Sequence, residues 1–402
     1  MNGWMLILRN VLHRKTLSLL TVLAVAITIS LFVLLLQSRE AVEQGAQKGY
    51  GPFELVIGAD GSESQLVLHS FYRLGTPTGN IPHSVLESLQ REPEIEAAYA
   101  MTAGDQFNGF PIIGIDPGYF QTRYADRSLA QGHLYKQLGE VTVGYEVARK
   151  LNVRVGDEFH GGHGLVESHS MDEDEHGEEE HDAHASFSYH VVGILPKLNT
   201  ADDRTVFTTV DHAWAVHAHQ SEQRDVTAVL VKPRSLLGAQ MVKLKYDKLE
   251  KVQAVYASKA VGDVLNFVDT GTQLILIVML ICVLLAAVSL LLSLTAAVQE
   301  RKKDVGLLRL IGKSRSYILG ILVGEGALLT AAGLVLGLVA GHLIGWLISD
   351  PLFIYAGIRL GGLAPAGDLL LLTLGTLVLG AVASLIPAAR IYRVDALTLF
   401  RH

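Results

Sequence analysis

Histidines and acidic residues that could bind a metal ion are concentrated in one stretch of the sequence, between His160 and His190. Nine acids lie from Glu167 to Asp182, and no lysine or arginine occurs from residue 155 to residue 196. Imidazole nitrogens and carboxylate oxygens are ligands for zinc and related divalent ions, so this density is a compositional signal for metal binding. The candidate ligands are His160, His163, His169, His176, His181, His184 and His190.

The arrangement of this His-rich segment predicts weak rather than structural metal binding. Its flanks, Val155–Phe159 and Ser186–Ile194, predict paired strands, which makes the residues between them a long loop. Two H-x-x-H pairs could each donate two ligands, but no fixed framework accompanies them. The same residues also suit a solvated acidic loop or a pH-sensing loop, because histidine titrates near neutral pH.

A lone acid, Glu325, is notable because it lies inside a long apolar run, about seven residues or roughly 10 Å from its start. An ionisable group in such surroundings needs a partner or a wet cavity. We favour a hydrogen-bonded anchor to a neighbouring helix over a pivot or a proton-linked group.

Small residues form one face of the same run. Gly333, Gly337, Gly341 and Gly345 recur at every fourth position. Such faces let helices approach closely in lipid. We therefore predict a packing role, with either another helix of this chain or a second subunit as the partner.

Four runs are long and apolar enough to cross a bilayer, since ~30 Å of hydrocarbon takes about 20 helical residues. Half of the 402 residues are hydrophobic, which is also typical of membrane proteins. We predict four transmembrane α-helices, with a large mixed α/β domain outside the cytoplasm between helices 1 and 2. The runs are Thr16–Gln37, Leu274–Val298, Ile318–Ile348 and Leu369–Ala389.

The charge distribution predicts the orientation. Residues 38–271 carry 20 Lys+Arg and 34 Asp+Glu, a balance of −14, whereas the rest carries 13 and 6, a balance of +7. Bases flank the first run and fill the loop 299–317, so we expect both termini and that loop to be cytoplasmic. The acidic domain would then be periplasmic, in a multi-pass protein of the inner membrane. Its charge argues against nucleic-acid binding.

The large domain shows alternating strand and helix patterns, which predict its α/β class. A short helix, Asn2–His13, is expected at the membrane interface before the first span. The predicted strands are Glu54–Gly58, Phe110–Asp116, Val141–Gly144, His190–Leu195, Thr205–Val210 and Val226–Val231. The predicted helices are Ser84–Glu92, Glu146–Leu151, His212–Ala218 and Ser235–Lys248.

The basic stretch 300–312 has the pattern of a short amphipathic helix that docks on a cytoplasmic partner. A solvated loop that only sets topology is the alternative. The overlapping segment Gly306–Ser314 ends in G-K-S, but five residues rather than four separate its glycines, so it does not predict a phosphate-binding loop. Its candidate docking residues are Glu300, Arg301, Asp304, Val305, Leu308, Arg309, Ile311 and Gly312.

These motifs together resemble the ABC-transporter permeases of the FtsX/MacB/LolC type. The stretch 300–312 is similar to the cytoplasmic E-R-x-x-[DE]-[IV]-x-[LM]-[LM]-[RK]-x-[ILM]-G pattern of that family. Leu8–Val11 before the first span, Glu325 in the third and Ile386–Asp395 at the end also look like family features. The resemblance divides the chain into residues 1–37, a MacB-like domain 38–271 and an FtsX-like domain 272–402.

The resemblance implies an assembly of two permeases, homo- or heterodimeric, with two cytoplasmic ATPase subunits that bind the ATP. The stretch 300–312 would be the coupling helix, and the spans would act as a lever in contact with lipid. No enzyme motif and no tightly bound cofactor are expected. Leu55–Ser62 and Gly79–Pro82 look like a subgroup with His-rich insertions, which we associate with zinc-responsive gene clusters.

Three functions remain open at this point. The first is substrate transport or extraction, either zinc-linked or of lipid, lipoprotein or drug. The second is a mechanotransmitter that switches a periplasmic partner, and the third is a metal sensor. The 234 residues of the outer domain favour the MacB/LolC-like architecture, since FtsX-type transmitters usually have a small one.

Overall fold

The computed structural model describes residues 3–125, 129, 131–163, 188–216, 224–300, 312–360 and 362–392. The chain divides into two compact units. The membrane unit comprises Met1–Val42, Val268–Leu352 and Leu360–His402, and the large domain comprises Glu43–Phe267 together with Phe353–Arg359.

The helices and strands of both units are numbered in chain order. The helices are α1 (Gly3–His13), α2 (Lys15–Gly49), α3 (Glu63–Tyr72), α4 (Ser84–Gln90), α5 (Gly118–Tyr124), α6 (Tyr145–Leu151), α7 (Val210–Val216), α8 (Leu236–Tyr246), α9 (Ala257–Glu300), α10 (Arg315–Ala356) and α11 (Ala366–Tyr392), with a 3₁₀ helix at Ala201–Arg204. The strands are β1 (Leu55–Ala59), β2 (Ile81–Pro82), β3 (Ile95–Phe107), β4 (Phe110–Ile115), β5 (Gln131–Gly132), β6 (Glu140–Val143), β7 (Glu158–His160), β8 (Gly162–His163), β9 (Ser188–Ile194), β10 (Val206–Thr208), β11 (Asp225–Val226), β12 (Ala228–Pro233) and β13 (Val252–Tyr256).

Four helices are long and apolar enough to cross a membrane, as the sequence predicts. They contain the candidate spans Lys15–Ala46, Ala257–Gln299, Ser316–Ala356 and Ala366–Pro387. Each helix extends beyond the uncharged run inside it, because backbone hydrogen bonding continues into polar residues. The predicted fold class, four such helices with a mixed α/β domain between the first and second, is confirmed.

The large domain is built on a mixed sheet. Among the described residues, its strand order is β13-β1-β12-β3-β4-β10-β6-β9-β5, with β7 on β9 and β8 on β3. The β10–β4 and β6–β9 pairs are parallel, whereas the others are antiparallel. A separate pair joins β11 to β2.

Both faces of the sheet are covered, so its central strands are buried throughout. Along β1, Leu55 and Ile57 pack in one cluster with side chains of α4 and α8, while Val56 packs in a second cluster with side chains of α3 and α5. This alternation follows from the two-residue period of a strand. It explains why β1 is an uninterrupted apolar run rather than a polar–apolar alternation.

Several local predictions agree with the structure and two do not. The predicted strand pairing at the flanks of the His-rich segment is confirmed, since β7 pairs with β9 antiparallel. The predicted strand Thr205–Val210 is wrong at its end, because Val210 begins α7. The strand β3 was not predicted, since its alanines favour helix, yet pairing with β12 and β4 on its two sides makes it central.

Two neighbouring strands connect the large domain to two of the long helices. β1 and β13 pair antiparallel, with Leu55 opposite Tyr256. β13 passes directly into α9 at Ala257, and α2 ends at Gly49, shortly before β1. The two chain connections therefore lie at the same end of one strand pair.

Candidate functional site

Buried arginines of the large domain cap the C-terminal ends of long helices. The last carbonyl groups of a helix have no partner within it, and cations there are favoured. Arg123 donates to the carbonyl of Gly49 at the end of α2. Arg204 donates to the carbonyl of Ile354 near the end of α10 at 2.9 Å and to that of Tyr72 at the end of α3. The ends of three helices are thus held by two neighbouring guanidinium groups.

A carboxylate, Asp202, lies at the centre of this arrangement and is fully buried. Its oxygens are 3.3 Å from Arg73 and 3.4 Å from Arg123. The hydroxyl groups of Tyr119 and Tyr124 donate to it at 2.8 and 2.6 Å. Such pairing is what a buried charge requires. We name Arg73, Arg123, Arg204, Asp202 and Asp203 the capping cluster.

The remaining charges of the capping cluster are also buried, and burial shifts their pKa values. Burial raises the pKa of Asp203 to about 6, although the backbone N–H groups of Leu198 and Asn199 each donate to it at 2.8 Å. Burial, with a smaller effect of Arg73, lowers the pKa of Arg204 to about 10. Asp203 and Arg204 both lie in the 3₁₀ helix Ala201–Arg204, whose charged side chains are buried inside the domain.

The segment between the third and fourth long helices is fixed inside the large domain. Arg359 forms an ion pair with the buried Glu146 at 2.5 Å, and Arg149 contacts the other oxygen of Glu146 at 2.8 Å. Gly357 has a φ of 70°, and a Cβ there would lie 2.7 Å from Nη2 of Arg204. Glycine therefore permits both the turn and the close approach of the guanidinium group.

Polar side chains between α1 and α2 connect the helices of the membrane unit. Asn10 donates to Glu325, which is buried in α10. Arg14 donates to the carbonyls of Ala296 and Ala297, at 3.1 and 3.3 Å, in the last turns of α9. The two helices that flank residues 301–311 are therefore both bonded to the α1–α2 junction.

The glycine face of α10 packs on α2 of the same chain. A Cβ at each of three positions would lie within 3 Å of a branched side chain, which is closer than packed atoms tolerate. A Cβ added at Gly333 would lie 2.6 Å from the Cβ of Val25, one at Gly337 would lie 2.6 Å from that of Ile29, and one at Gly341 would lie 2.7 Å from that of Val33. Gly345 faces the side chain of Gln37.

An apolar cavity of about 220 Å³ lies among α2, α9, α10 and α11. Three threonines, Thr28, Thr330 and Thr376, line it, but each hydroxyl donates to the carbonyl four residues earlier in its own helix. The cavity therefore offers dispersion contacts rather than polar groups. Its other lining residues include Val25, Ile29, Phe32, Val283, Ala286, Leu290, Leu372, Gly375 and Leu379.

Some of the predicted metal ligands lie at the base of the His-rich segment. His160 ends β7, His163 lies in β8 opposite Asp105, and Nδ1 of His190 in β9 is 3.5 Å from Glu158. Within the described residues no three His, Cys, Asp or Glu side chains are grouped to hold a metal. The other candidates, His169, His176, His181 and His184, lie outside the described residues, and metal binding stays a prediction.

Most of the predicted coupling stretch also lies outside the described residues. Arg301, Asp304, Val305, Leu308, Arg309 and Ile311 belong to the range 301–311 that the structure does not describe. On its two sides, Glu300 ends α9 and Gly312 has a φ of 89°. Ser314 then accepts a hydrogen bond from the Tyr317 N–H at 3.2 Å as α10 begins.

Two protein-family models match this chain, and together they cover most of it. The FtsX-like permease C-terminal family model matches residues 276–396. The model of the MacB-like periplasmic core domain matches residues 18–245, more than half of the chain. This chain is an FtsX/MacB-type permease. The expected family is thereby confirmed, and residues 246–275 lie between the two matches.

Known proteins add little to this family assignment. Among solved structures, the extracellular domain of the noncanonic ABC-type transporter YknZ from Gram-positive bacteria is similar at 11% identity. That comparison covers 50% of this permease and 98% of the YknZ chain, with a TM-score of 0.31. None of the curated proteins compared with this permease matches it.

The glycine face gives a prediction about the stability of the permease. Gly337→Ala places a methyl group 2.6 Å from Ile29 and from the carbonyl of Ala26, so we expect a loss of about 1–3 kcal/mol. The midpoint of thermal loss of helical circular dichroism in detergent measures it. Gly320→Ala in the same helix meets open space and should leave the midpoint unchanged or raise it slightly. Equal midpoints for the two variants would contradict the packing.

The Glu146–Arg359 pair gives a second prediction. In a double-mutant cycle of Glu146→Gln and Arg359→Gln we expect a coupling energy of about 1–3 kcal/mol, because the pair is largely shielded from solvent, with the Glu146 side chain 1% and the Arg359 side chain 21% exposed. Replacing Trp4 and Trp346 by Phe leaves Trp214 in α7 as the only tryptophan reporter. Urea unfolding of the full-length permease, followed by Trp214 fluorescence, gives the energies.

A matched control for this cycle is the exposed pair Lys259 and Glu63, 3.0 Å apart. The corresponding cycle of Lys259→Gln and Glu63→Gln should show no measurable coupling, because solvent screens the pair. If the Glu146–Arg359 cycle also shows no coupling energy, Phe353–Arg359 is not held in the large domain by this ion pair.

Proposed function

We propose that this chain is the permease subunit of an ABC transporter and that a separate cytoplasmic ATPase drives movement of its helices and large domain. The permease family supports the first part, because ABC permeases work with an ATPase partner. The movement would transport a substrate or extract it from the membrane. ATP would bind to the partner subunit rather than to this chain.

The observation that carries the mechanical part is the capping cluster. Arg123 bonds the end of α2 and pairs with Asp202, and Arg204, in the same 3₁₀ helix as Asp202, bonds the end of α10. A displacement of either helix end would thus act on the same buried 3₁₀ helix, Ala201–Arg204. Since a close-packed interior deforms little, such a displacement would move the domain as a whole rather than being absorbed locally.

On the cytoplasmic side, the α1–α2 junction supplies the matching connection. Arg14 bonds the last turns of α9 and Asn10 bonds Glu325 in α10. If residues 300–312 dock on the ATPase, a shift of that stretch would reach α2 through these bonds. In this proposal both termini are cytoplasmic, the large domain is periplasmic, and two permeases, identical or different, pair with two ATPases.

A mechanotransmitter that switches a periplasmic partner without moving a substrate is the second candidate. The chemistry of the apolar cavity favours it, because the three threonine hydroxyls that line the cavity are bonded within their own helices. A polar substrate would therefore find only hydroxyl acceptors and no free hydroxyl donor among them. A lipid-like substrate remains compatible with the transport version.

A zinc-linked role is a further part of the proposal and rests on the composition of residues 160–190. The paired strands β7 and β9 bring His160 and His190 to the base of that segment. Such an arrangement would present many exchangeable imidazole and carboxylate ligands to zinc outside the cytoplasm. Metal sensing would use the same residues.

The ATPase contact can be tested with Leu308→Asp and Arg309→Asp. Each places a carboxylate in the proposed contact, so we expect the permease to lose its stimulation of ATP hydrolysis when purified with its ATPase. Lys313→Asp, a charge change just beyond the stretch, is the matched control and should keep stimulation. Retained stimulation in both Leu308→Asp and Arg309→Asp would refute the coupling assignment.

Zinc binding can be tested separately by deleting Gly161–Ala185 from the full-length permease. We expect calorimetric titration with zinc to show the loss of most binding, because the deletion removes five of the seven candidate histidines. Unchanged stoichiometry would reject a metal role for the segment, without bearing on the ATPase coupling.

A further inference from the structure

The helix α8 of the large domain is apolar on both of its faces. One face packs on the sheet through Ala239, Val242 and Tyr246. The opposite face and the turn after it expose large apolar side chains instead. They are Leu236 (77% exposed), Leu237 (68%), Met241 (54%), Leu244 (57%) and Leu249 (46%).

This concentration is unusual for a domain surface. A helix that is apolar all round is normally buried on all sides, and contiguous exposed apolar patches mark interaction sites. Among the other described residues of the large domain, exposed large apolar side chains are scattered singly, at Leu138, Val155, Phe267 and Tyr355. Within the part of the chain that the structure describes, nothing covers the α8 face, which therefore calls for a partner.

The spacing of the apolar side chains indicates the shape of the partner. Leu237, Met241 and Leu244 stand at positions i, i+4 and i+7, so they form one stripe along the helix. Such a stripe matches the apolar face of another amphipathic helix, which fills the gaps between successive turns.

The charges around the stripe indicate the chemistry of the partner. Residues 234–251 carry five bases and two acids, a balance of +3 in a domain of −14. Lys245 is paired with Glu92, and Lys248 and Lys251 are exposed in the turn that follows α8. Two copies of this face would bring their bases together, which disfavours self-association. An acidic partner would be attracted.

We propose that the exposed face of α8 docks an amphipathic helix of a second protein, whose apolar stripe is flanked by carboxylates. The stripe of Leu237, Met241 and Leu244 supplies the apolar contact, and Lys248 with Lys251 selects for acidic flanks. The proposal goes beyond the ATPase-coupled movement and does not depend on it, so either can fail alone.

Photo-crosslinking of the full-length permease in its native cells tests this docking. A benzoylphenylalanine at Met241 should give a discrete adduct with a second protein, and the cross-linked peptide should be an apolar helix flanked by acids. The same probe at Leu138, which is 64% exposed between β5 and β6, should give none.

The basic residues are tested with the double variant Lys248→Glu/Lys251→Glu. It should reduce the amount of adduct about tenfold, which corresponds to a loss of about 1.4 kcal/mol in binding free energy. Lys136→Glu, next to Leu138, should leave it unchanged.

A second variant keeps the test independent of charge. With the probe at Leu237, Met241→Ser/Leu244→Ser should also abolish the adduct, because it removes the apolar stripe. An adduct between two copies of this chain would overturn the proposal, as would cross-linking to lipid alone, no adduct at Met241, or an adduct that neither double variant weakens.

Discussion

The backbone carbonyl groups at the C-terminal ends of helices impose the constraint on which this structure depends. Such groups cannot be left unpaired inside a protein, and the capping cluster satisfies them at α2, α3 and α10 with arginine side chains. Buried guanidinium groups need a counter-charge, which Asp202 provides for Arg73 and Arg123. One buried cluster thus bonds the ends of helices that come from distant parts of the chain.

In the membrane unit, fewer charged side chains pair the buried polar groups. Arg14 bonds the carbonyls of Ala296 and Ala297, and Asn10 bonds Glu325, so polar groups inside the apolar helices are paired. The glycine face lets α10 approach α2 closely. Close contact along one helix and polar bonds at both of its ends favour a helix that moves as a rigid element, which is what the proposed function requires.

The α8 face differs from all of these contacts because its apolar groups remain uncovered. Elsewhere in the large domain, apolar side chains from helices and strands close over one another in two main clusters on the faces of the sheet. A basic turn beside an apolar stripe therefore distinguishes α8 as a surface for another protein.

The sequence predicted those elements that depend on neighbouring residues better than those that depend on residues far apart in the chain. The strands β1 and β4 were predicted because their buried apolar runs are local signals. The strand β3 was missed, because its alanines become a strand only through pairing with β12 and β4. The capping cluster was missed for a similar reason, because no local pattern shows that its arginines bond the ends of helices distant in sequence.

The sequence by itself determined the four spans, the α/β class of the large domain and the permease family, because uncharged length, periodicity and a contiguous motif are properties of neighbouring residues. Only the tertiary structure decided that α2 covers the glycines of α10, that Asn10 is a partner of Glu325, and that Phe353–Arg359 belongs to the large domain. Those contacts join residues up to 315 positions apart, and no local pattern records which distant groups folding brings together.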